Sequence, residues 1–163
     1  MGDITNFAIP FFLATLMIEV ALSIYGNREY YTKKDTFASL TMGIGSIGSS
    51  LITKGLKFGV FTFLYEYRLI EIPMVWWGVI ALMLSDDFSY YWFHRTSHKM
   101  RYFWASHVVH HSSQHYNLST ALRQTWTGEI SGSFMFYAWM PLVGFDPLWI
   151  LTAQSINLIY QYW

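Results

Sequence analysis

The chain contains no cysteine, which excludes a disulfide framework, a thiolate metal site, a haem thiolate and a cysteine nucleophile together. Any metal must then be held by His, Asp or Glu. Charge is scarce as well. Only 12% of the 163 residues are Asp, Glu, Lys or Arg, whereas a soluble domain of this size carries about 25%. Ten basic residues balance ten acidic ones, so no global field points to nucleic acid or to an acidic partner. The N-terminus lacks a basic n-region, and residues 7–25 carry one charge, Glu19. That apolar run is too long for a cleaved signal and reads as a retained membrane helix.

What is abundant is apolar: 53% of the residues are hydrophobic and 20% are aromatic. A surface built from such a chain is largely non-aqueous, and its length suits one domain. Residues 1–35 are read as an N-terminal membrane helix with a basic loop, and residues 36–163 as the domain that follows. The loop, residues 26–35, holds Arg28, Lys33 and Lys34, whereas residues 1–6 hold no basic residue. Positive charge collects on the cytoplasmic side, so the loop is expected inside and the N-terminus outside. Residues 36–67 form a long Gly- and Ser-rich apolar stretch broken by Lys54 and Lys57, which predicts one tilted helix or a broken pair. Residues 72–84 are uncharged but too short to span, so their helix must continue through residues 85–98. Residues 130–143 and 147–163 predict two further apolar helices. Between them, Gly144, Asp146 and Pro147 are a stop, an N-cap and a first-turn proline, the signature of a helical hairpin. The expected fold is an all-α, multi-pass integral-membrane bundle.

Gly43, Gly45 and Gly48 match the GxGxxG dinucleotide fingerprint, but that motif carries meaning only between a strand and a helix. Here they are expected to let helices approach closely, as are Gly55 and Gly59.

All six histidines fall between residues 94 and 115, and five form two groups, His94-x3-His98 and His107-x2-His110-His111. Positions four apart share a helix face, so His94 and His98 can present two imidazoles to one ion. His107 with His110 or His111 repeats this on a second segment, and the spare histidine can reach another ion. The five are predicted metal ligands. Asp87 lies on the helical face of His94 and His98, too far along the axis to touch His94 but placed to orient a histidine from another segment. Alternatively it is a buried acid paired with Arg95 or Arg123. His115 lies outside both groups as a surface or outer residue, and Asn117-Leu118-Ser119, a sequon by pattern, is read as a cap.

Residues 87–98 with 107–113 resemble the first two histidine boxes of the fatty acid hydroxylase / sterol desaturase superfamily, and residues 116–124 resemble its alkylglycerol-oxidising branch. The resemblance implies a non-haem site of two Fe ions, held by His94, His98, His107, His110 and His111 with further histidines, that uses O2 to hydroxylate or desaturate a C–H bond of a lipid. It also implies an external electron donor, a cytochrome b5-like or ferredoxin-type protein or a reduced pterin. The family pattern adds a later histidine and a third box, so the chain is expected to be an incomplete and inactive piece of an iron-dependent oxidoreductase. The expected location is a bacterial inner membrane or the endoplasmic reticulum, with the histidines facing the cytoplasm. Two other readings use the same histidines. A membrane zinc hydrolase lacks its HExxH, and a metal transporter or sensor fits poorly with histidines interspersed with Arg95, Lys99 and Arg101 after a helix.

Overall fold

The computed structural model describes residues 4–27 and 30–162; Arg28 of the basic loop lies outside them. The described residues form seven α-helices and one 3-10 helix, without a strand. Helix α1 (Ile4–Tyr25) is apolar around its circumference and leaves Met17, Leu22 and Ile24 more than 60% exposed. Its stretch Ala8–Tyr25 is the one described segment long and apolar enough to cross a membrane. Its charge, Glu19, is not idle: Oε2 accepts the backbone N–H of Leu118 at 2.8 Å and the hydroxyl of Tyr31. The far end of the chain returns to α1, where Phe12 stacks on Tyr162 at 4.1 Å.

Helix α2 (Lys33–Tyr65) is single and unbroken, about 50 Å long at 1.5 Å per residue. Thr32 caps its start by accepting from Asp35 N. Lys57 is buried in spite of its charge because its Nζ donates to Glu129 Oε1 at 2.7 Å and to Gln154 Oε1 at 3.0 Å. A buried charge without such partners would be driven out. The three glycines of the fingerprint sit inside α2, with no loop or strand to aim phosphates. Only two of them meet another segment. A Cβ on Gly45 would lie 2.1 Å from the Trp126 ring, and one on Gly43 2.8 Å from Leu122 O. Gly48, Gly55 and Gly59 have nothing within 4 Å of that position, so their expected packing role within the chain is not realised.

Helix α3 (Trp76–Lys99) merges the short apolar run with the polar residues after it, as its length required. It buries Gly78, Leu82, Asp86 and Ser89 at helical spacing, and Leu82 joins Phe61, Met140, Ile150 and Ala153 in the core. A break at Met100 separates α3 from α4 (Arg101–His107). The short α5 (Leu118–Ala121) follows, with Asn117 Oδ1 accepting from Ser119 N at 3.0 Å, so the sequon asparagine is a cap. Residues 130–143 do not form the single helix expected. Gly132 takes a left-handed φ of 88°, and a 3-10 helix (Ser133–Tyr137) and then α6 (Trp139–Val143) follow it. The Ser-Gly-Ser sequence is a poor helix former, and Pro141 has no N–H to give. Gly144 (φ 130°) then ends α6, and Asp146 Oδ1 accepts from Leu148 N and Trp149 N to start α7 (Pro147–Tyr160) as the hairpin signature required.

Candidate metal centre

The break at Met100 sets the site geometry. It folds α4 back beside the last turns of α3 and brings His107 and His111 against His94 and His98. His94 Nε2 lies 3.1 Å from His98 Nε2, and His107 Nε2 lies 3.1 Å from His111 Nε2. Across the two segments the ring centres of His94 and His107 are 4.7 Å apart, and those of His98 and His111 4.8 Å. One ligand nitrogen from each of the four lies within 4.8 Å of all the others. With metal–nitrogen bonds of about 2.1 Å, a pair 3.1 Å apart would subtend about 95° at an ion. That is the angle of neighbouring ligands in an octahedral-type site, so each pair has the spacing of two ligands on one ion.

The protonation state also suits a metal. Burial, followed by the neighbouring imidazoles, pushes His107 down to about 4, and His111 is lowered for the same reasons. Neutral rings keep a lone pair to donate. Trp104 stacks on His111 with ring centres 5.9 Å apart and also flanks His98 at 5.5 Å. Phe93 stands 6.5 Å from His107, with Phe136 behind it.

His110 is set apart from the four. Its Nδ1 bonds the backbone oxygen of Arg123 at 3.1 Å. A carbonyl can only accept, so the proton sits on Nδ1 and Nε2 keeps its lone pair, the tautomer that a metal ligand needs. His115 is outside the group; its backbone bonds Ser113 and Thr120. Asp87 is exposed, accepts from Asn157 Nδ2 at 3.0 Å, and bonds no histidine among the described residues.

Arg123, a candidate partner for Asp87, pairs elsewhere, and the parts played by Asp35, Ser113, Tyr90 and Asp86 have no counterpart in the sequence reading. Arg123, 5% exposed, pairs with Asp35 Oδ1 at 2.7 Å and donates to Ser39 Oγ and Ser112 Oγ. Ser113 Oγ donates to the other Asp35 oxygen at 2.7 Å. Asp35 and Arg123 together clamp the loop after the second histidine group onto the start of α2. Tyr90 OH lies 3.2 Å from His94 Nδ1, and Asp86, one turn earlier, is buried and accepts from Asn157 Nδ2 at 2.8 Å. The spacing 86-90-94 is visible in the sequence; the clamp, spanning 88 residues, has no local signal.

A helical chain with an imidazole-only candidate metal centre is the class that fold and site define. Residues 79–163 match the family model described as fatty acid hydroxylase, and the chain belongs to that family. It is similar to alkylglycerol monooxygenase of Homo sapiens (36% identical over 167 residues, 99% of this chain and 36% of the relative) and of Danio rerio (34% over 164 residues, 97% and 36%). A third relative, alkylglycerol monooxygenase of Caenorhabditis elegans, is 41% identical over 114 residues, 63% of this chain and 21% of the relative. The chain thus spans about a third of the length of the human and Danio relatives. No solved structure matches it.

Proposed function

We propose that the chain carries metal-binding residues of an O2-dependent, membrane-embedded lipid oxygenase that hydroxylates or desaturates a C–H bond in an acyl, alkyl or sterol chain. The convergence of His94, His98, His107 and His111 carries this reading. The relatives named as monooxygenases support the oxidative chemistry, and they favour an alkyl ether of glycerol as the substrate class. Bound iron would supply the O2 chemistry that an unreactive C–H bond needs, because no amino-acid side chain can perform it alone.

The residues of this chain do the rest. The four imidazoles hold one ion, and the Nε2 of His110, its tautomer fixed by the Arg123 carbonyl, is available to a second. Asp87 on the same face of α3 is placed to orient a histidine brought by another segment. Trp104, Phe93, Phe103 and Phe136 line the surroundings with apolar surface, which suits an alkyl chain. Electrons come from an external donor, a protein or a reduced pterin. The exposed apolar residues of α1, α2 and α3, among them Leu22, Ile52 and Trp76, support a multi-pass arrangement in lipid. The bonds from Asp35 to Arg123 and Ser113 draw Lys33 and Lys34 to the histidine side, supporting a cytoplasmic site.

The test is iron content with O2 uptake and product analysis on an alkylglycerol in detergent or vesicles. Iron-dependent oxidation that His94→Ala abolishes is expected of the protein carrying this segment. Full activity in His94→Ala would overturn the reading.

A further inference from the structure

Of the four converging histidines, His94 is the one whose Nδ1 has a protein partner among the described residues, the hydroxyl of Tyr90 at 3.2 Å. One turn before Tyr90 on the same helix lies Asp86, 1% exposed. Asn157 serves its Oδ2, while its Oδ1 accepts no hydrogen bond among the described residues. A buried carboxylate oxygen left in this state is costly and calls for a donor. Asp86 is buried, and Tyr90 packs half-buried against the core cluster that includes Leu82 and Tyr137.

We propose that Tyr90 is a positioning residue for the metal ligand His94, and that Asp86 acts through it. This rests on the four-histidine metal site proposed above. Without metal, a neutral His94 can carry its proton on Nε2, facing His98, and accept from the Tyr90 O–H through Nδ1. An ion at Nε2 takes that lone pair and moves the proton to Nδ1, because a neutral imidazole has one N–H. The Tyr90 oxygen must then accept, and its own O–H is released to donate elsewhere. Asp86 Oδ1, one turn along α3 and without a partner among the described residues, is the acceptor we assign to it, with a water as the bridge. Metal loading therefore turns the Tyr90–His94 bond around and supplies Asp86 with the donor it lacks. Tyr90 fixes the His94 ring, and Asp86 holds Tyr90 in the accepting orientation. Both favour the loaded state.

The experiment measures Co(II) affinity of the chain in detergent by chelator competition, with helix content checked by circular dichroism. Tyr90→Phe should weaken Co(II) roughly 10- to 100-fold, the usual effect of losing the outer partner of a ligand histidine. Asp86→Asn should weaken it by less. The double variant should be no weaker than Tyr90→Phe, because Asp86 acts through the hydroxyl already removed. Ser89→Ala, a buried change on the same helix off this line, should leave affinity unaltered. Unchanged affinity in Tyr90→Phe, or additive losses in the double variant, would overturn the proposal. Should Tyr90→Phe lose its helix signal, Asp86→Asn against Ser89→Ala decides, and equal affinity there overturns it. Absence of Co(II) binding by the unsubstituted chain would overturn the metal site itself, and this inference with it.

Discussion

At the scale of single side chains, the histidines divide by what their ring nitrogens meet. His94, His98, His107 and His111 turn nitrogens toward one another, His110 gives its Nδ1 proton to a carbonyl, and His115 stands apart. Alanine at any of the four should therefore reduce metal affinity by more than the roughly 10- to 100-fold that an outer partner contributes. His115→Ala should leave it unchanged; equilibrium dialysis of the variants is the check. The acidity of His107 gives a second expectation. Its value falls from 6.5 to about 4 on folding, so the folded chain binds fewer protons than the unfolded one between those limits. The sign follows: this contribution to stability is fully present above pH 6.5 and is lost as the pH falls toward 4. Thermal unfolding of the metal-free chain should move to lower temperature across that window, and a flat profile would contradict the burial assigned to His107. The histidine spacing was legible in the sequence because ligands four apart on a helix are a local pattern. Asp86 was not. Helical phase favoured Asp87, whereas the buried acid is Asp86, on the packed side of α3, where Asn157 of α7, 71 residues away, also meets it.

At the scale of elements, stops, caps and glycines made most boundaries readable. Asp146 and Pro147 mark the start of α7 by their own chemistry, and Asp146→Ala should cost about 1 kcal/mol, as N-cap losses do. Glycine spacing was a weaker guide, since it says that a partner can approach but not that one does. Trp126 fills the space at Gly45 while Gly48 faces no other part of the chain. Gly45→Ala should thus destabilise by about 1–3 kcal/mol through overpacking, whereas Gly48→Ala should be neutral or stabilise by up to about 1 kcal/mol through helix propensity. Melting followed by circular dichroism separates the two, and equal effects would show that Trp126 does not pack there. The broken stretch before α6 was hidden because apolar content alone does not report a left-handed glycine at position 132.

At the scale of the whole molecule, the composition pointed to a helical chain with apolar surface, and the described residues are helical without strands. The pairing of distant segments was beyond it. Asp35 and Arg123 join the start of α2 to the end of the histidine loop, and nothing near either residue announces the other. That clamp gives the topology a concrete consequence: single cysteines placed at positions 33 and 101 should label from the same membrane face, and labelling from opposite faces would overturn the multi-pass arrangement. In the function proposed above, four imidazoles from two neighbouring segments hold one ion. X-ray absorption at the metal edge of the iron-loaded chain reads this directly. The expected spectrum has nitrogen-rich nearest neighbours with more distant scattering from about four imidazoles, diminished in His94→Ala and in His111→Ala. An oxygen-only shell, or a spectrum the two substitutions leave unchanged, would contradict it.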